Sequence, residues 1–522
     1  MPNTNTTYRT NATYRNRALW VIFSLLLIRL IALKLSPYGL HGDEAQYWSW
    51  AQDLDWGYFS KPPMIAWLIA ATTGIFGDAE WAARLASPIL HSATAFLIFL
   101  TGRKAYSARA GFWACSVYML MPAVWVSSMI ISTDVALLFF WAAALYAWIS
   151  LRQSPSWRFA ILLGGALGLG LMSKYAMMFF IPPLIIAAIF DMPTRKALYN
   201  LKGAAAALIA VVIFAPNIWW NVNHDFATIT HTAANTNLEG KTRFFHPLEF
   251  LRFFGDQLGM FGPLPFLLLL LTLATIKTLM PNTANQSKIT ADTISSNNHK
   301  HAGSVFIYLS LFTLTPLIAI SIQAFLSRAN ANWAASAYVS ASLLLGIAAM
   351  QFLNRKAWLS RGLLAQSLFC SALLCISLFP AFVDRLGAAN AVKRLRAWPD
   401  TIEAIEIRFA AGHEGQRFES IVLDHRLMFY DAQYYGLPNT APTYIWHQNA
   451  APKHHAELTH PFTKQGGGPV LFVNYSGNII PKLRDDFTRL EALEPIDINL
   501  GGGKTRNVKI WAAYGYKARH KR

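Results

Sequence analysis

Long apolar runs recur along this chain, each bounded by charged residues, Pro or Gly, and no other feature limits its fold as strongly. At about 1.5 Å rise per residue, roughly 20 apolar residues cross a hydrocarbon core, and about eleven runs approach that length. They lie at 18–35, 79–101, 108–127, 135–151, 159–172, 176–190, 203–219, 258–279, 305–324, 333–353 and 362–380. The shorter ones also fit buried or re-entrant helices. A 522-residue chain that is 54% hydrophobic and 14% charged, with a mean hydropathy of +0.31, is not an ordinary soluble globule. The expectation is an α-helical polytopic membrane protein.

Short cytoplasmic loops retain Lys and Arg, which sets the orientation. An inside N-terminus places Arg103, Lys104 and Arg109, then Arg152 and Arg158, then Arg195, Lys196 and Lys202, then Arg355, Lys356 and Arg361 in the cytoplasm. Asp43, Glu44, Lys61, Asp134, Lys174, residues 221–257 and everything after Asp384 then fall on the opposite side, so the candidate chemistry is extracytoplasmic. Much of the formal charge of +18 is used in the cytoplasmic loops, which favours anionic lipid headgroups over nucleic acid as partners. Cys115, Cys370 and Cys375 all sit in apolar segments and read as packing residues, not as a disulfide framework or a metal-binding pair. The first run lacks a small-residue cleavage site and reads as an uncleaved signal anchor.

The expected organisation is a cytoplasmic tail at 1–17, a membrane domain at 18–383 and a soluble extracytoplasmic α/β domain at 384–522. The first outer loop, 36–78, carries Tyr47, Trp48, Trp50 and Trp56 and a Pro-Pro break, which suits interfacial helices in the headgroup layer. Residues 281–301 are polar and read as a flexible cytoplasmic linker. In the last domain IVLDHRLMFYDAQYYG, VLFVNYS and KIWAAYGY read as strands. No internal repeat is evident, which counts against a transporter built on repeated halves.

Asp43 and Glu44 follow the first span at once. A carboxylate there can deprotonate an acceptor hydroxyl or, with its neighbour, bind a divalent cation; Asp43 is the candidate base and Glu44 an orienting group. Helix N-capping by Asp43 fits the dipeptide equally well. Asp134 opens the fourth span on the same side, and it too fits either an N-cap or a functional acid. Lys61, Arg84, Lys174 and Arg328 gather at the outer boundary, where they can hold a phosphate or snorkel to the interface. His224 and His231 match no strong metal spacing, nor do His447, His454, His455 and His460. GGGKT at 501–505 lacks the glycine that a phosphate loop needs five residues before Gly503, where Ile498 stands.

Taken together, HGDEAQYWSW, LDWGYFSKPPMIAW, WAARLAS, ISTDVALLFFWAAALY, GLGLMSKYAMMFFIPP and RANANWAASAY resemble the bacterial family 39-type membrane glycosyltransferases of the GT-C superfamily. That superfamily includes the protein O-mannosyltransferases and the aminoarabinose transferase that modifies lipid A. The resemblance covers the membrane region, residues 18–380. It implies a GT-C fold in a bacterial inner membrane and transfer of a sugar from a polyprenyl-phosphate donor. The acceptor would be a periplasmic hydroxyl on lipid A, another envelope glycan or a protein. The first-loop acid of the family matches Asp43, the acid opening the fourth span matches Asp134, and the lysine before the proline pair matches Lys61. Asp43 would activate the hydroxyl for a single inverting displacement. Lys61, Lys174 and Arg84 would hold the phosphate, with Arg328 a further candidate. A phosphate leaving group needs no general acid, unlike an ordinary glycoside. The sequence departs from the aminoarabinose enzymes at Ser60, where those look acidic, which leaves the sugar open. The competing expectation is a lipid or solute transporter, which predicts charges near mid-membrane and paired broken helices.

Overall fold

The computed structural model describes residues 4–237, 245–275, 293–351, 353–447, 452–463, 467–475, 477 and 479–517. They pack as two units, one of Met1–Lys34, Lys61–Ile65 and Arg84–Leu374, the other of Leu35–Ser60, Ala66–Ala83 and Cys375–Arg522.

The protein is a multi-pass α-helical membrane protein. Among the described residues six helices are long and apolar enough to cross: Asn11–Leu35, Glu80–Ala105, Thr133–Gln153, Leu201–Asn223, Val305–Leu326 and Asn354–Leu378. Two bent pairs add to them, Tyr175–Phe190 with Met192–Leu198 at 117° and Pro247–Phe261 with Pro263–Ala274 at 112°. Trp157–Ser173 and Ala337–Gln351 are shorter apolar helices. The run at 108–127 divides into Ala108–Met119 and Pro122–Ser127. The apolar runs are thus helical as expected, but about half of them are short, split or bent, not straight crossings. Residues 281–292 of the expected linker lie outside the described residues, and from Thr293 the chain is already in the helix Thr293–Leu326.

Each break has a local cause. Pro122 at the start of its helix cannot continue the preceding one, and the freed Met119 carbonyl accepts from Nη2 of the fully buried Arg29 at 2.6 Å. Gly262, at φ +95°, turns the chain before Pro263, and Gln366 Nε2 donates to the Phe261 carbonyl at 2.6 Å. Where helices run unbroken, small residues let them approach. A Cβ on Gly346 would stand 2.5 Å from the Ala110 carbonyl oxygen, so Ala337–Gln351 and Ala108–Met119 meet nearly backbone to backbone. Around that contact lies the apolar core of the unit, with Trp141, Trp148, Phe180 and Phe312 packed ring against ring.

The second unit holds a five-stranded sheet with strands β1 (Ile421–Leu423), β2 (Thr443–Ile445), β3 (Val470–Asn474), β4 (Phe487–Gly501) and β5 (Lys504–Tyr516) in the order β2-β1-β3-β5-β4. β1 lies parallel to β2 and β3, and β5 antiparallel to β3 and β4. The sequence reading of a strand through 426–434 is corrected: Arg426–Tyr434 is a helix capped at His425, whose Nδ1 accepts from Met428 N. Its buried Met428, Phe429 and Ala432 recur at helical spacing, which outweighs the β propensity of its aromatic residues. The GGGKT segment forms the β4–β5 turn, with Gly501, Gly502 and Gly503 all at positive φ. From the first outer loop the unit takes the helix Gly42–Ala51 and, just after it, Tyr58, whose ring stacks on Trp50 at 4.6 Å.

Gly346→Ala is expected to destabilise the protein by about 1–3 kcal/mol through overpacking. Gly165→Ala, with open space around its Cβ position inside the helix Trp157–Ser173, is expected to be neutral or stabilising by up to about 1 kcal/mol. Thermal midpoints of the two purified variants in detergent check the contrast.

Candidate functional site

The helix Trp157–Ser173 stops at Lys174, whose extended backbone (φ −163°, ψ 135°) precedes the 3-10 turn Tyr175–Phe180. The prolines at the start of Ile181–Phe190 keep the two helices from merging. At this stop Lys174 Nζ donates to Asp134 Oδ1 at 2.6 Å, and Asn332 Nδ2 donates to Asp134 Oδ2 at 2.7 Å. Both charged side chains are largely buried, at 10% exposure for Asp134 and 19% for Lys174. Asp134 lies in the first turn of Thr133–Gln153, where the helix dipole favours its charge, but its oxygens serve Lys174 and Asn332. The N-cap position itself is Ser132, which makes no capping side-chain bond.

Asp134, Asn332 and Ser132 line a cavity of about 410 Å³ whose other walls are mostly apolar. A further polar group on its wall is His91, fully buried, with Nδ1 2.8 Å from the Tyr118 hydroxyl and Nε2 2.9 Å from Ser127 Oγ. A largely apolar pocket with a few fixed polar groups suits an amphiphilic ligand whose polar end must be oriented.

In the other unit the helix Gly42–Ala51 is capped by a pair the sequence reading did not assign. His41 Nδ1 accepts from Asp43 N at 3.2 Å, and Glu44 Oε2 accepts from His41 N at 2.9 Å. Glu44 is therefore buried as part of the cap, while the Asp43 carboxylate stays 44% exposed and accepts from Arg426 Nη2 at 3.1 Å. Arg426 also donates to Gln46 Oε1. It opens the helix Arg426–Tyr434, which lies so close that a Cβ on Gly42 would stand 2.6 Å from Leu427 Cβ. Adjacent acids on one helix thus take different tasks, as their spacing requires.

Of the remaining candidates, Lys61 is half-buried beside buried Ser60, Arg84 is buried at the end of Glu80–Arg84, and Arg328 is exposed just past Leu326. The structure brings Asp134 and Lys174 together. It places Asp43 and Glu44 in one unit and Lys61, Arg84, Asp134, Lys174 and Arg328 in the other. Sequence reasoning missed Asn332, although it lies inside RANANWAASAY, and it missed Arg426, which sits in a segment read as strand. His224 stacks on Trp220 at 4.0 Å, and His454 caps a short helix by accepting from Glu457 N. Burial, with Arg426 and His425 nearby, pushes the His454 imidazole down to about 3. Among the described residues one group has metal-ligand spacing, His413, Glu414 and Glu491. There Arg489 pairs with both carboxylates.

Behind the Asp43 helix lies Asp431, fully buried and with neither carboxylate oxygen hydrogen-bonded. Burial pushes its carboxyl well above the usual range; Arg506 opposes this, and Glu44 and Asp43 add to it.

The dolichyl-phosphate-mannose-protein mannosyltransferase family matches residues 60–220. The lipid A galacturonosyltransferase RgtD of Rhizobium johnstonii is 34% identical over 330 residues, 62% of this chain and 64% of that protein. An undecaprenyl phosphate-alpha-4-amino-4-deoxy-L-arabinose arabinosyl transferase of Pseudomonas fluorescens is 28% identical over 38% of this chain and 40% of that protein. The chain therefore spans less than two thirds of the length of these curated relatives. In structure it is similar to ArnT from Cupriavidus metallidurans bound to undecaprenyl phosphate, with a TM-score of 0.61 at 15% identity over 94% of this chain and 98% of that one, which shows a shared fold.

A carboxyl whose pKa is higher folded than unfolded stabilises the fold fully below the unfolded value, about 3.9, and that contribution is lost as pH rises through the folded value. Asp431→Asn should therefore gain thermal midpoint over the wild type progressively from about pH 4 upward. Parallel midpoint curves for the two proteins would contradict the assignment.

Proposed function

We propose that the chain is a member of the GT-C superfamily and that it is an inverting membrane glycosyltransferase. It moves a sugar from a polyprenyl-phosphate donor to an envelope acceptor on the periplasmic face of a bacterial inner membrane. The observation that carries this reading is the buried Asp134–Lys174 pair, whose aspartate lines a mostly apolar cavity, inside the stretch matched by the mannosyltransferase family. A polyprenyl-phosphate sugar is amphiphilic, and the cavity offers it mostly apolar walls that carry Asp134 and Asn332, with Asp134 in turn holding the Lys174 ammonium.

In the displacement, the acceptor oxygen bonds to the anomeric carbon as the bond from that carbon to the phosphate oxygen breaks. The acceptor proton passes to a base, a role that the resemblance of HGDEAQYWSW to the family's first outer loop gives to Asp43, and the phosphate leaves with the electron pair. Lys174, held by Asp134, stabilises the charge that gathers on the leaving oxygen, and Lys61 and Arg84 supply further positive charge. Arg328, exposed beyond its helix, is assigned the outer approach of the anionic donor. Glu44 keeps the helix start rigid, and Arg426 orients the Asp43 carboxylate. The neutral Ser60 and the 34% identity to a lipid A galacturonosyltransferase favour an acidic donor sugar, a hexuronic acid, with lipid A as acceptor. The two bent helix pairs are a feature the transport alternative also expects.

Purified protein in lipid nanodiscs, given polyprenyl-phosphate hexuronic acid and lipid A, should add one hexuronic acid to lipid A by mass spectrometry. Asp43→Asn should lower turnover about 100-fold to 10,000-fold with the thermal midpoint unchanged. Turnover retained in that variant would remove Asp43 as the base. Donor lipid that crosses a proteoliposome bilayer without being consumed would establish transport instead.

A further inference from the structure

Asn332 belongs to the short 3-10 turn Ala331–Ala334, between the helices Thr293–Leu326 and Ala337–Gln351. A single 3-10 turn of four residues has poor hydrogen-bond geometry and little stiffness of its own. Yet this turn has to hold Asn332 Nδ2 at 2.7 Å from Asp134 Oδ2, a contact on which the second oxygen of the buried acid relies.

The stiffness comes from Gln257. Its Nε2 donates to the Ala331 carbonyl at 3.3 Å, next to Asn332, and to Phe253 O at 3.1 Å within its own helix Pro247–Phe261. Its Oε1 accepts from the Tyr338 hydroxyl at 2.5 Å. Gln257 and Tyr338 are each 1% exposed, and the Tyr338 ring stacks on Phe261 at 4.6 Å and 15°, which fixes the direction of its hydroxyl. One buried amide thus ties together the first arm of a bent helix pair, the 3-10 turn and the helix Ala337–Gln351. A buried amide with its donor and acceptor both engaged specifies a single arrangement, because losing either partner strands a polar atom away from water.

We infer that Gln257 and Tyr338 are positioning residues for the transfer reaction: through the 3-10 turn and Asn332 they set the orientation of Asp134 and hence of the Lys174 ammonium. The inference rests on the transferase reading above. Neither Gln257 nor Tyr338 is hydrogen-bonded to Asp134 or Lys174; their influence passes through the Ala331 carbonyl and the Asn332 amide. The pocket wall is continuous with this route, since Asp134, Asn332 and Tyr338 all line the same cavity.

The test uses full-length protein in nanodiscs and the transfer assay. Gln257→Leu is expected to lower kcat about 10-fold to 100-fold while the acceptor KM stays within about twofold, because misplacement by an ångström is costly to chemistry more than to binding. Asn332→Ala should lose at least as much. The double variant should lose no more than Asn332→Ala alone, since both changes sever the same chain of contacts. Tyr338→Phe, which removes one hydroxyl and keeps the ring stack, should show a smaller loss in the same direction; it serves as the test should Gln257→Leu fail to fold. Wild-type kcat in Gln257→Leu or Tyr338→Phe, or losses that multiply in the double variant, would overturn the inference. Turnover by the wild type tests the transferase reading itself, whereas ratios among the variants test the positioning, so the two failures are distinct.

Discussion

A lysine and an aspartate closed on each other at 2.6 Å inside the membrane unit form the contact that the rest of this architecture serves. Removing one partner of such a buried pair costs about 3–5 kcal/mol, because the other charge is then stranded. The pair is also satisfied beyond its own contact, since Asn332 takes the second oxygen of Asp134. Forming it requires Lys174 to be extended where two helices meet, Asp134 to sit in the first turn of another helix, and a turn nearly 200 residues away in sequence to supply the amide. A chain that meets three such demands in a mostly apolar unit retains a charge where packing alone would favour none.

The helix breaks are the means by which those demands are met. A straight apolar helix keeps its backbone groups internally bonded and presents nothing polar at depth. Each interruption frees carbonyls, and in this unit those carbonyls have specific donors. Arg29 takes Met119 O, Gln366 takes Phe261 O, and Gln257 takes Ala331 O. The polar side chains that satisfy the breaks are therefore part of the fold, and the same interruptions deliver Lys174, Ser132 and Asn332 to the site. The second unit works by a related economy: His41 and Glu44 cap one helix between them, which leaves Asp43 to face Arg426 from the neighbouring helix.

What the sequence disclosed follows from this physics. Membrane class and the helical runs were legible because apolar length is a strong signal, and the acids and lysines stood out because charge beside such runs is rare. The motif fragments carried the resemblance to the GT-C superfamily. Number and straightness of the spans were less legible, since a run such as 258–279 looks continuous although Gly262 bends it and the helix before the bend starts at Pro247. Asn332, Gln257 and Tyr338 escaped notice because uncharged polar residues near apolar runs are common and their importance comes only from partners remote in sequence. The helix at 426–434 was hidden by its aromatic residues, and with it Arg426. Asp43 as a cap was a reasonable local expectation, but the helix starts two residues earlier, where the His41 imidazole is the cap and accepts from the Asp43 N–H itself.

The measurement that bears most directly on the central claim is a cryo-electron microscopy structure of the protein with undecaprenyl phosphate. The account predicts phosphate density within about 3 Å of Lys174 Nζ, a charge-assisted hydrogen-bond distance, with Asp134 still bonded to Asn332. Phosphate bound away from Lys174, with the ammonium still closed on Asp134, would contradict it.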